Sequence, residues 1–175
     1  MKQNRISVRP FLVPLLLVIL SATPFQADDI QWRTVQRVVD GDTVELDGKE
    51  KVRLIGVDTP EKFSSKKLDA DARESNRDKE TIKALGERAS KFTKELCEGK
   101  KVWLEYGQEK SDRYGRTLAY LHLEDGTVVN EEIIRQGFGN AYTKYPHKYL
   151  EAYRELEKEA REGEKGLWGD DADKK

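Results

Sequence analysis

Apolar and polar positions alternate with a period of two in short runs near the start of the chain and again past residue 100, and recur at helical spacing between and after those runs. Residues 32–39 read as a first strand. Val44 and Leu46, then Val52, Leu54, Ile55 and Val57, form two β-rich runs joined by Asp47-Gly48, the dipeptide favoured in two-residue type I′ hairpins. With those two residues as the loop, Leu46 faces Lys49 and Asp42 falls opposite Arg53. Facing residues share one face of the ribbon at about 5 Å between Cβ atoms. Pro60, which has no N–H, ends the pairing. Alternation puts Arg53 and Asp58 on opposite faces, so for both to serve one site the backbone must turn near Gly56, where a bulge is expected.

Residues 62–80 are charged and without periodicity, which reads as a long surface loop, either a solvated connection or a flap whose lysines touch an anionic substrate. Leu85, Ala89, Phe92 and Leu96 then fall at helical spacing over 81–98, with Gly99 as the stop. Val102, Leu104 and Tyr106 alternate as a fourth strand, and 116–123 as a fifth. Asn130 is a plausible cap for a short helix carrying Ile133 and Ile134 and ending at Gly137. Tyr149, Tyr153, Leu156 and Ala160 stripe a last helix after Pro146, which Gly163 ends, and Gly166-Leu167-Trp168 is expected to pack back on the body ahead of a frayed tail at 169–175. This pattern is α+β, and five short strands with an inserted helix suit a small barrel carrying about three helices.

The amino terminus departs from the rest. Lys2, Arg5 and Arg9 precede an apolar run over 11–20 and the small residues Ser21, Ala22 and Ala27, the order of a secretory signal peptide. The run is too short to span a hydrocarbon core, so residues 1–27 are expected to be removed and 28–175 to form a single domain, secreted or periplasmic, with an uncleaved membrane anchor as the alternative. At 175 residues the chain is long enough to bury one sizeable core. Cys97 is its only cysteine, which rules out an intramolecular disulfide, and its amphipathic setting favours a small buried hydrophobe over a reactive thiol. Loss of residues 1–27 removes three cations and no acids, taking the formal charge from −1 to −4. The whole chain would repel a polyanion, so binding one must rest on local basic groups and a bound cation.

Chemistry follows from what is present. His122 and His147 are the only histidines and each fits a structural role, so a zinc site or a Cys-His nucleophile is not supported. Clustered carboxylates suit a hard cation, and calcium is the natural one outside the cytoplasm. Arg53 and Arg116 carry the planar donor fork that grips phosphate, although each could instead close a structural ion pair, with Asp42 and Asp112 respectively.

Three stretches taken together, Val39-Asp40-Gly41-Asp42-Thr43-Val44, then Arg53-Leu54-Ile55-Gly56-Val57-Asp58-Thr59-Pro60-Glu61, then Asp112-Arg113-Tyr114-Gly115-Arg116-Thr117-Leu118-Ala119-Tyr120, resemble the staphylococcal nuclease family, over about 32–168. The resemblance implies a five-stranded Greek-key barrel of the OB-fold type and a calcium-dependent nuclease that cleaves DNA and RNA and leaves 3′-phosphate ends. It implies a metal held by Asp42, Asp58 and the carbonyl of Thr59, and catalysis by Arg53, Arg116 and Glu61, the last holding or deprotonating the attacking water. It places Asp112, Arg113 and Tyr114 near the phosphate, and Tyr142 and Tyr145 beside the nucleotide or merely as packing aromatics. It carries no expectation of a stable protein partner, and a monomer without membrane contact follows once the leader is cleaved. The alternative is a non-catalytic barrel that binds nucleic acid or protein.

Overall fold

Seven strands and four helices follow one another in the computed structural model, which describes residues 30–75 and 78–169, without the side chains of 66, 67, 71, 74 and 75. The expected leader over 1–27 and the tail from 170 lie outside the described residues. The strands are β1 (Arg33–Asp40), β2 (Thr43–Leu46), β3 (Lys51–Leu54), β4 (Val57–Asp58), β5 (Lys101–Ser111), β6 (Thr117–Leu123) and β7 (Asn140–Ala141). Five of them close a barrel in the order β1-β2-β3-β6-β5, and β4 pairs with β7 as a separate two-stranded sheet. Every barrel pair is antiparallel except β3 with β6. The expected α+β barrel is the architecture found.

Alternation builds the interior. Val35, Val44, Leu46, Val52, Leu54, Val102, Ala119 and Leu121 are buried, each large aliphatic contributing about 1.5–3 kcal/mol. Helix α2 (Lys79–Cys97) lies against β1 and buries Ile82, Leu85, Ala89 and Cys97. Asp78 caps it by accepting from the Thr81 N–H at 2.8 Å. Burial pushes the Cys97 thiol up to about 12, as suits the small buried hydrophobe expected there. Helices α3 (Val129–Arg135) and α4 (Leu150–Glu162) pack on each other and close the far side with Ile133, Ile134 and Tyr153. The turn at Gly166–Trp168 does pack back, its Leu167 N–H bonded to the Gly137 carbonyl at 2.9 Å.

Three local readings are corrected. The hairpin is not a two-residue type I′ turn: Asp47, Gly48 and Lys49 all lie in the loop, Leu46 N–H bonds the Glu50 carbonyl, and Arg53 therefore faces Thr43 rather than Asp42. Arg33 of β1 explains this, because it reaches across to Asp47 and Glu50 and fixes both ends of the longer loop. Residues 62–80 are not an aperiodic loop, since they contain helix α1 (Lys66–Ser75). Asn130 does not cap α3. It is fully buried within the helix, accepting from Leu121 N–H and donating to the Ile55 and Ala119 carbonyls.

Candidate active site

The site begins with a bend. After β3 the chain reverses face at Gly56, whose φ of +76° lies in the left-handed region open chiefly to glycine. A Cβ there would also come 2.5 Å from His147 Cε1 and 2.8 Å from Tyr153 Cδ2, so the bend is both required by the backbone and covered by the start of α4. It does what the sequence demanded: Arg53 and Asp58, on opposite faces by strand parity, meet. Arg53 turns its guanidinium into the bend, Nη1 donating to the carbonyls of Leu54 (2.9 Å) and Val57 (2.7 Å). Its Nη2 lies 3.1 Å from Asp42 Oδ2 and 3.7 Å from Asp58 Oδ1. Thus the Arg53–Asp42 pairing is realised although the register that suggested it is off by one residue.

Asp42 is held from the other side by Thr59, whose backbone N–H (3.1 Å) and hydroxyl (3.2 Å) both donate to Oδ2. Gly41 makes this approach possible, because a Cβ at that position would lie 2.7 Å from Thr59 Oγ1. Its carbonyl accepts the Thr93 hydroxyl of α2 at 2.8 Å, tying the Asp-Gly-Asp turn to the helix. Asp40 accepts from the Asp42 N–H at 3.2 Å. Burial, and then the neighbouring Asp42, push the Asp40 carboxyl well above the usual carboxylate range.

Arg116 joins through Thr43. Its Nη1 donates to Thr43 Oγ1 at 3.4 Å, and that hydroxyl donates to Asp42 Oδ1 at 3.1 Å. Arg116 Nε and Nη2 both sit 2.7 Å from Asp112 Oδ2, which they orient in return. Burial alone would raise the Asp112 carboxyl, but the hydrogen bonds from Arg116 and from Tyr114 N–H outweigh it and hold it below its usual range. Tyr114 projects into solvent with the Arg113 guanidinium 4.8 Å and the Arg116 guanidinium 5.6 Å from its ring. One chain of contacts therefore unites Asp112, Arg116, Thr43, Asp42, Thr59, Arg53 and Asp58.

Glu61 stands two residues beyond Thr59, half-buried, with Oε2 accepting the Ser65 hydroxyl at 3.3 Å. Tyr142 and Tyr145 form a ring pair 6.0 Å apart after β7; Tyr142 N–H bonds the Gly56 carbonyl, so the pair is anchored to the bend but is not itself in the chain of contacts above. The remaining histidines are structural. His122 stacks on Trp103 and bonds Glu105, and His147 bonds Tyr120. Sequence reasoning overlooked Asp40 and Thr43, although both lie inside the motif it singled out; the register of β2 on β3 was the missing signal for Thr43.

The donors available to a cation are all oxygens: the carboxylates of Asp42 and Asp58, with the Thr59 carbonyl next in the chain. Such a set fits a hard divalent ion and not a soft one. Among the described residues no three acidic, histidine or cysteine side chains converge as a ready cluster. Among the same residues no helix is long and apolar enough to cross a membrane.

Residues 51–170 match the model of the family described as staphylococcal nuclease homologue. A thermonuclease of Staphylococcus hyicus is 38% identical over 138 residues, 77% of this chain and 73% of that protein. An uncharacterized endonuclease of Escherichia coli is 35% identical over 161 residues, 90% of this chain and 89% of its own. Endonuclease YhcR of Bacillus subtilis (strain 168) is 34% identical over 144 residues, 78% of this chain but only 11% of that longer protein. With the barrel, the bend and the linked carboxylates and arginines in place, these likenesses lead to one assignment: the chain belongs to the staphylococcal nuclease homologue family.

Proposed function

We propose that the chain is an exported, calcium-dependent nuclease that hydrolyses phosphodiester bonds of DNA and RNA as a monomer and leaves 3′-phosphate ends. The broader statement, that it is a nuclease and hence a phosphodiesterase, rests on its family and relatives. The observation that carries the finer one is the chain of contacts joining Arg53 and Arg116 to a shared Asp42, two guanidinium groups and a carboxylate pair on rigid strand ends.

Hydrolysis requires the phosphate charge to be offset, a water to be oriented, and the departing oxygen to be supported. Asp42, Asp58 and the Thr59 carbonyl would hold calcium, which when bound supplies positive charge beside the phosphate. Arg53 and Arg116 grip the phosphate oxygens, where their charge counts most as negative charge grows toward the transition state. Asp112 keeps Arg116 in a fixed orientation. Glu61 orients the attacking water and takes its proton. The water oxygen bonds to phosphorus as the bond to the 5′ oxygen breaks; that oxygen takes up a proton from solvent and leaves as a 5′-hydroxyl, so the phosphate stays on the 3′ side. Tyr114 and Arg113 flank the phosphate, and Tyr142 and Tyr145 offer faces to a base, a contact worth about 1–3 kcal/mol each.

The test is digestion of heat-denatured DNA by the chain from Asp28 onward, with calcium and with calcium chelated. Cleavage confined to the calcium sample, with 3′-phosphate ends on the products, is the expected result. A folded protein that retains DNA without cutting it would instead make this a binding barrel.

A further inference from the structure

Glu61 is fixed at its backbone by one helix and at its carboxylate by another. On α2, a Cβ at Gly86 would stand 2.7 Å from the Pro60 carbonyl oxygen, the Glu61 carbonyl carbon and the Lys62 nitrogen. Only a hydrogen fits there, so the Pro60–Lys62 backbone rests directly on the helix. The side chain is reached from α1. Ser65 Oγ accepts from the Leu68 N–H at 3.0 Å, three residues on, which makes Ser65 the amino-terminal cap of that helix. The same oxygen lies 3.3 Å from Glu61 Oε2. A serine hydroxyl has a single proton, and with a lone pair engaged by Leu68 N–H that proton is directed at the carboxylate. Leu68 is only 1% exposed and α1 packs against α2, which holds the cap in place.

We infer that Ser65 is a positioning residue for Glu61: the docked α1 helix orients the Ser65 hydroxyl, and the hydroxyl orients the carboxylate that handles the attacking water. The inference rests on the role given to Glu61 above. It also gives a purpose to a segment whose composition suggests either a solvated connection or a flap whose lysines touch substrate. Loss of the hydroxyl leaves phosphate binding intact and blurs the position of one catalytic oxygen, which acts on turnover rather than affinity.

The experiment measures kcat and KM on heat-denatured DNA with calcium, together with thermal stability, for wild type, Ser65→Gly, Ser65→Thr, Glu61→Gln and the double variant Ser65→Gly/Glu61→Gln. Glycine is a tolerable cap that lacks the hydroxyl, so Ser65→Gly separates capping from positioning. Expected are a kcat loss on the order of ten-fold in Ser65→Gly with KM unchanged, recovery in Ser65→Thr, and no further loss when Ser65→Gly is added to Glu61→Gln. A Ser65→Gly variant with wild-type kcat, or a loss that multiplies fully onto Glu61→Gln, overturns the positioning role. Wild-type turnover in Glu61→Gln alone would overturn the role of Glu61 itself, a result distinguishable from either.

Discussion

Two arginines of this barrel are each held between two carboxylates beside a left-handed glycine, and the surroundings of the pairs separate a brace from a site. Arg33 on β1 meets Asp47 Oδ1 at 2.5 Å and Glu50 Oε2 at 2.7 Å, next to Gly48 at φ +77°. Arg53 on β3 meets Asp42 and Asp58 beside Gly56 at φ +76°. The Arg33 group is open to water, its three side chains between 31% and 43% exposed, and it runs outward through Glu50, which accepts the Thr117 hydroxyl of β6 at 2.6 Å. Arg53 and Asp42 are at 16% and 9%, and the contacts run on through Thr43 to Arg116 and through Thr59 toward Glu61. Charge composition is therefore the same, and what differs is burial and the fact that one set of contacts ends on a threonine and the other on a second arginine. A desolvated, rigidly held charge acts strongly on an approaching phosphate, whereas a hydrated pair mainly organises its own loop.

The sharpest way to break this contrast is to exchange arginine for lysine at both places. A lysine at 53 cannot serve two carbonyls and two carboxylates at once, and it loses the fork that fits a phosphate. Arg53→Lys should lower kcat on denatured DNA on the order of 100-fold, while Arg33→Lys stays within about two-fold of wild type. Equal losses would mean that the two clusters do not differ in kind. Next come the glycines. Gly56→Ala combines a left-handed backbone with a collision against His147 and Tyr153, and should cost about 3 kcal/mol in denaturant unfolding. At Gly48 the nearest atom to an added Cβ is Arg33 Nη2 at 3.7 Å, an ordinary contact, so Gly48→Ala should cost only about 1 kcal/mol. Smaller still is Arg33→Ala, expected below about 1 kcal/mol and weaker in high salt, as befits an exposed pair.

The contrast also shows what a sequence can disclose. Strands β2, β3, β5 and β6 are visible because each buries one face, and the need for a bend at Gly56 follows from parity alone. The hairpin register is not visible: Asp47-Gly48 favours a two-residue turn, and only the reach of Arg33 from another strand selects the longer loop. Helix α1 is hidden because Leu68 is its one large apolar residue, too few to set a period. Asn130 reads as a cap because asparagine so often is one, whereas its three bonds go to β6 and the bend across sequence distances no local rule spans. The Arg53–Asp42 contact survives the register error since Arg53 is long enough to reach Asp42 diagonally, so that pairing was legible even where its geometry was not.

The smallest effect tests whether the Gly56 side alone carries a proton-dependent cover. His147 lies over Gly56, its Nδ1 3.1 Å from Tyr120 Oη on β6, its ring 5.3 Å from Tyr153 on α4, and its Nε2 buried without a hydrogen-bond partner among the described residues. Lys148, the next residue, and Glu105 are bonded to each other, and Glu131 acts on Tyr153 from α3. Burial pushes the His147 pKa below its ordinary value of 6.5. The unfolded chain therefore binds the proton more readily, so the stability associated with neutral His147 is fully present above about pH 6.5 and is lost as pH falls from there toward the folded value. Asp40, raised by burial and by Asp42, contributes with the opposite sign, since protonation favours its folded state. The useful quantity is consequently the difference in unfolding free energy between wild type and His147→Gln across pH 5–8. That difference should shift against wild type as the solution is acidified, and a flat difference would remove His147 from the account of how the bend is held. Gly48 offers the control: the penalty of Gly48→Ala should not change with pH over the same range, because the nearest atom to an added Cβ is Arg33 Nη2, whose guanidinium is held above its usual pKa by the hydrogen bonds to Glu50 and Asp47.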